Sequence, residues 1–248
     1  MAKSFQSFGK KPQEMKYPHV HLSFDDHSVS NWHSCRELFN KYDAKATFYV
    51  DSFHLLSDEE IEMLRNLESD GHVIGCHGKT HADALVYSKR FGIEKYIEDE
   101  ILPSIEEMIG AGFKPTHFAF PNSNFDPELY SAVSPFFCYV RPSNLNHFFS
   151  QEKMHVIQDR LSKENIYKVT RIREGKIDSV INEFRDLAKA QKAIIVVFHD
   201  VRSNATAAHE GTHAKEYITP EELKTILEGL NKSGYSYQTY KDMCKYED

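Results

Sequence analysis

Cysteine is scarce: four in 248 residues, at positions 35, 76, 138 and 244, with no CxxC pair. Such spacing excludes a disulfide framework and a cysteine-rich zinc site, and reads as free thiols in a reducing compartment. Long apolar runs are missing as well. None approaches the roughly 20 residues that span a bilayer, which excludes a membrane helix. The start, MAKSFQSFGKKPQEMKYP, carries lysines but no apolar segment after them. No secretory signal is visible, so the expected location is cytoplasmic, with a trimmed secreted chain as the other possibility. Positive charge is short too. Lys plus Arg is 30 against 37 for Asp plus Glu, a net charge of −7. That argues against a nucleic-acid partner and against a polybasic membrane anchor. Repeats, Ser/Gly linkers and charge blocks are absent. What remains is ordinary globular composition, 40% hydrophobic and 27% charged, with enough chain for a sizeable core. Histidine, by contrast, is plentiful, with 14 residues; their worth depends on which ones converge.

Short apolar runs alternate with longer helical periodicity. Strands are predicted at 19–24, 44–50, 73–76, 116–120, 136–141, 193–198 and 235–239, with short ones at 156–157 and 167–172. Helices are predicted at 31–42, from an N-cap at Ser57 to 69, at 93–111 with Pro103 as a kink or break, at 177–190, and from an N-cap at Thr219 to 232. Strands alternating with helices imply a parallel sheet, and over this length one barrel-like α/β domain. In such folds the chemistry sits where strands end.

The predicted strand ends carry Asp25 and Asp26, then His77 through His81, then Pro121 and Asn122, then Arg141, then His199 and Asp200. Two imidazoles and a carboxylate make a divalent-metal site with open positions. His77 and His81 are four apart, so a helical turn would put them on one face. Asp25 and Asp26 diverge, leaving one for the metal and one as a base. His199 could protonate a leaving amine or alkoxide. Each piece alone has a bland reading: a solvated Asp-Asp turn, a chance spacing among many histidines, a polar cap on a buried strand. Their joint placement is what carries weight.

In these residues the sequence resembles the polysaccharide deacetylases of the NodB-homology type, carbohydrate esterase family 4, over about residues 19–240. The resemblance implies a distorted (β/α)7-type barrel as a single domain over 19–248, preceded by an extension over 1–18. It implies a divalent-metal-dependent hydrolase acting on N-acetyl or O-acetyl groups of an acetylated saccharide. Ser23-Phe24-Asp25-Asp26 matches the first motif, with Asp25 as general base and Asp26 as metal ligand. His77 and His81 match the metal-binding second motif. Val197-Phe198-His199 matches the fifth, with His199 as general acid. The third motif departs: in Phe118-Ala119-Phe120-Pro121-Asn122-Ser123, Ala119 stands where the family carries an Arg that orients the base. Arg141 is the candidate replacement, with a surface salt bridge as its bland alternative. Pro121 and Asn122 fall at the substrate, the Asn122 backbone N–H on the oxyanion. His27 replaces the usual Gly after the Asp pair. No clear fourth-motif Asp orients His199; Asp159 and Asp178 stay open. Zinc suits the ligands, with cobalt, nickel or iron as alternatives.

Two rivals remain. One is a carbohydrate-binding relative that has lost its chemistry. The other is a zincin-type protease through His209, Glu210 and His213, a literal HExxH lacking helical periodicity around it. Trp32, Phe48, Tyr49 and Phe53 read as core, Cys76 as an inert buried thiol, and His54, His72, His117, His147 and His155 as surface or polar-contact residues. His19 and His21 share a strand face without a carboxylate, so no second metal is expected. The sequence says nothing about oligomeric state.

Overall fold

A computed structural model of the chain describes residues 18–141, 166–171, 177–203 and 217–241. Ten strands occur among them: β1 His19–Asp26, β2 Ala46–Val50, β3 Val73–Cys76, β4 His117–Phe118, β5 Tyr139–Val140, β6 Ile166–Arg171, β7 Ala193–Phe198, β8 Asp200–Val201, β9 Tyr217–Ile218 and β10 Ser236–Tyr237. Every pairing is parallel. The main sheet runs β5-β4-β3-β2-β1-β7-β6, with β10 also on β1, and β8 pairs β9 separately. Helices surround this curled sheet, giving the single-domain (β/α)-type barrel that the alternation predicts.

The two faces of the sheet differ in chemistry, and β1 shows why. In HVHLSFDD, apolar and polar residues alternate, and all but Asp26 are buried. Val20, Leu22 and Phe24 face the helices. There Phe24 stacks on Phe48 and Phe198, with Phe39 edge-on at 5.6 Å and Trp32 against Phe48. His21, Ser23 and Asp25 face the lumen. In-register pairing puts Thr47 and Tyr49 of β2 beside them, and then Gly75 of β3 beside Tyr49. Gly75 is required by that ring: a Cβ there would lie 2.8 Å from Tyr49 Cδ1. The lumen is therefore a polar, aromatic core rather than the apolar one most parallel sheets build.

Helix ends follow local rules. Ser57 and Thr219 each close a capping box, with Glu60 and Glu222, and Pro220 starts the second of these helices. The predicted 31–42 helix is two, Val29–Ser34 and Arg36–Lys41. Helices Ala84–Phe91 and Pro127–Val133 are additional to the sequence prediction. Pro103 produces no break. The helix runs Ile93–Tyr96, widens into a π-helical turn over Ile97–Ile101, and continues Leu102–Gly110. A π turn absorbs the disruption next to a proline.

The reading of the thiols needs correction. Cys35 and Cys76 are free and buried, but Cys138 is disulfide-bonded, so the four thiols are not all free. Burial pushes the Cys76 thiol up to about 11, which fits an inert side chain. His72 and His117, read as surface or polar-contact residues, are the latter: both are fully buried, His72 Nδ1 accepting the Ala46 N–H and His117 Nε2 donating to the Thr239 carbonyl. Tyr49 reads as core and is fully buried, on the lumen face of its strand. The predicted strand at 156–157, together with Asp159, His147, His155 and the HExxH at 209–213, lies outside the described residues.

Candidate metal and catalytic site

Parallel strands bring their carboxyl ends to one rim, and backbone bonds extend the ladder past the strands. His77 N–H donates to Val50 O, Asp51 N–H to Asp26 O, Ala119 N–H to Cys76 O and Arg141 N–H to Phe118 O. Residues 25–26, 51, 77, 119 and 141 are thereby fixed side by side. His199 follows β7, and its carbonyl accepts the Trp32 indole N–H at 2.7 Å.

Asp26, His77 and His81 converge: each offers one ligand atom, all within 4.8 Å of one another. Asp26 Oδ1 lies 3.4 Å from His81 Nε2 and 3.8 Å from His77 Nε2. Ligands about 2.0–2.1 Å from a tetrahedral ion are about 3.4 Å apart, so the three need little adjustment to share one. The tautomer fits as well. His77 donates Nδ1–H to the Ala119 carbonyl at 2.7 Å, which leaves the Nε2 lone pair facing Asp26. Asp26 Oδ1 is buried with no hydrogen bond in the protein. A carboxylate oxygen that makes no hydrogen bond and two imidazoles close to it suit a divalent cation.

The charges lean the same way. Burial would raise the Asp26 carboxyl, but His81, His199 and His77 hold it at about 2. Burial lowers His77, keeping it the neutral imidazole a metal needs. At His81 burial is outweighed by Asp26, and the ring's pKa rises. Backbone strain gathers here too. Asp26 (φ 82°), His81 (φ 59°), Asn122 (φ 57°) and Ser123 (φ 53°) all sit in the left-handed region. Each such residue costs of order 1–3 kcal/mol, and strain of this kind collects at functional sites.

Arg141 is no surface residue. It is 3% exposed and grips both oxygens of Asp25: one guanidinium nitrogen donates to Oδ1, the other to Oδ2 at 2.7 Å. The first also donates to Ser23 Oγ, whose hydroxyl donates to Asp25 Oδ1 at 3.1 Å. The guanidinium lies over the Tyr49 ring, 5.1 Å from its centre. Burial alone would raise the Asp25 carboxyl; Arg141, seconded by His77, holds it well below the usual carboxylate range. The register explains how Arg141 reaches Asp25. His117 pairs Tyr139 and Phe118 pairs Val140, so the next step sets Ala119 beside Arg141. The cation comes from the strand neighbouring the one that Ala119 follows.

The other predicted residues are placed as follows. His199 is nearly buried and close enough for its charge to lower both Asp25 and Asp26. Pro121 is buried and Asn122 exposed on the rim, in the turn Pro121–Ser123. His27 is half-exposed and its Nδ1 lies 2.7 Å from Asp51 Oδ1. Asp178 is exposed in the first turn of its helix. Asp51 and Glu100, both 3% exposed, were missed. Asp51 ends a strand and was findable by the rule used for the others. Glu100 sits within the acidic run Glu98-Asp99-Glu100 and has no sequence signal, because the π turn that buries it shifts the helical phase.

The chain matches the family described as polysaccharide deacetylase over residues 13–135. It is 22% identical over 224 residues to a bifunctional xylanase/deacetylase of Pseudobutyrivibrio xylanivorans, covering 90% of this chain and 30% of that protein. The chain thus spans about a third of that curated relative's length. Among solved structures, the chitin deacetylase of Colletotrichum lindemuthianum shares its fold with TM-score 0.58 at 15% identity, over 96% of this chain and 92% of that one. The carbohydrate esterase family 4 domain of a multidomain xylanase from the hindgut metagenome of Trinervitermes trinervoides gives 0.57 at 17%, over 92% and 90%. Motif residues meeting at one rim, the family match and the shared fold together mean that this chain belongs to the polysaccharide deacetylase family, of NodB-homology type.

Proposed function

We propose that the protein is a metal-dependent hydrolase that removes acetyl groups from an acetylated saccharide, an N-acetylated sugar first and an O-acetylated one second. One observation carries the reading: an Asp26 oxygen and two imidazoles converge beside a buried carboxylate, Asp25, that an arginine keeps ionised. Asp26, His77 and His81 would hold the ion, zinc by preference. When bound, such an ion polarises the acetyl oxygen and acidifies the attacking water. Asp25 receives that water's proton on its carboxylate. Arg141 fixes the orientation of the carboxylate and keeps it deprotonated throughout the working pH range; the same grip weakens it as a base, so the proton it takes is passed on rather than kept. His199 delivers a proton to the leaving nitrogen or oxygen. The Asn122 backbone N–H shares the developing oxyanion, and Pro121 and Asn122 line the approach of the sugar.

The test is acetate release from acetylated glucosamine oligosaccharides and acetylated xylan, with and without chelator. The reading predicts release that chelator abolishes and zinc restores. Asp25→Asn should retain zinc and lose turnover; if elemental analysis shows the zinc gone, the two Asp roles are exchanged. Saccharide binding with no acetate release from any substrate would favour the carbohydrate-binding relative. Loss of hydrolysis in Glu210→Gln would favour the zincin.

A further inference from the structure

The stretch from His77 to His81 contains no helix, although the four-residue spacing suggested one. What aims the second imidazole is therefore a separate question from what aims the first. His77 is fixed by its backbone bond to Val50 and its ring bond to Ala119. On the far side of the turn stands Glu100, a carboxylate buried among helices. One of its oxygens accepts the Thr80 backbone N–H at 2.9 Å and the other accepts the Thr80 hydroxyl at 2.5 Å. Thr80 directly precedes His81, whose φ is +59°. The same carboxylate lies against Gly78, where φ is +88° and an added Cβ would sit 3.2 Å from Oε2. Glu100 thus touches the turn at two points between the two imidazoles. It comes from the π-helical turn Ile97–Ile101, which puts Glu100 and Ile101 both in the interior. Burying a carboxylate is costly unless its oxygens are well paired, and π turns recur at functional sites.

We propose that Glu100 is a positioning residue of the metal centre: by holding the N–H and O–H of Thr80 it keeps the 77–81 turn in the conformation that points His81 at Asp26. The inference rests on the metal-binding reading above, and its test separates the two. Apo protein is titrated with Co(II), read by visible absorption and by competition with a chelator, alongside thermal melts of the apo forms. Wild type should bind one Co(II) and His81→Ala should not. Glu100→Ala should remain folded at the assay temperature and bind at least about tenfold more weakly. Glu100→Gln, which keeps one acceptor, should fall between. Thr80→Val, which deletes only the hydroxyl, should weaken binding severalfold. A purely structural Glu100 would lower the apo melting temperature and leave the affinity of the folded protein unchanged. Co(II) affinities of Glu100→Ala and Thr80→Val both within twofold of wild type would overturn the proposal and leave the metal reading standing. Should Glu100→Ala not fold, Thr80→Val decides. If wild type takes up no Co(II), or His81→Ala binds as tightly as wild type, the metal reading fails and this inference with it.

Discussion

Replacing Arg141 by Met removes the guanidinium but keeps much of the side-chain volume. Arg141 is 3% exposed and bonded to both oxygens of Asp25, itself 3% exposed, and to Ser23. Deleting one member of a buried pair leaves the other charge uncompensated and costs about 3–5 kcal/mol. In a chain of this size each kcal/mol moves the melting temperature by about 2–4 °C, so the expected drop is about 6–20 °C. Charge is the cause, so Arg141→Met/Asp25→Asn should melt well above Arg141→Met alone, since it leaves no stranded carboxylate. Calorimetry of the four proteins in the cycle measures this coupling. Acetate release supplies a second readout: kcat should fall by more than KM rises, because an orienting contact matters most in the transition state. A melting drop under about 2 °C, or strictly additive single and double variants, would refute the buried ion pair. An unchanged kcat would remove Arg141 from the mechanism.

Other outcomes follow from the same structure. Burial lowers His72 and His117 from 6.5 to about 4. A histidine depressed in the fold contributes stability that is present above pH 6.5 and lost as pH falls through about 4. Each accounts for up to about 3 kcal/mol over that window. Melts across it should show His72→Phe with a shallower slope than wild type, and an identical slope would contradict the assignment. Gly75→Ala drives a Cβ to within 2.8 Å of the Tyr49 ring. Overpacking there should cost about 1–3 kcal/mol by denaturant unfolding, and a neutral effect would mean that the lumen is looser than described.

The parts legible in the sequence are those set by short-range chemistry. The capping boxes at Ser57 and Thr219 and the apolar run AIIVVF are local signals, and each stands where local rules put it. The rim residues were found by a topological rule: in a parallel barrel, polar residues after apolar runs share one end. Arg141 was found that way, yet its bond to Asp25 depends on strand register, which no local pattern carries. Pro103 marks an irregularity as expected, a π turn just before it, but the helix continues through it without a break. That same turn hid Glu100 by shifting the helical phase. Tyr49 reads as ordinary core because the lumen's polar lining depends on in-register neighbours from several strands. The histidines at 72 and 117 show the limit of composition arguments: a buried, hydrogen-bonded imidazole and an exposed one look alike in sequence.

The central claim is that Asp26, His77 and His81 grip one ion. Anomalous diffraction at the zinc edge, from crystals grown with one equivalent of zinc, tests it most directly. The prediction is a single strong peak about 2.0–2.2 Å from Asp26 Oδ1, His77 Nε2 and His81 Nε2. No peak there, or zinc bound instead between His209 and His213, would contradict the account.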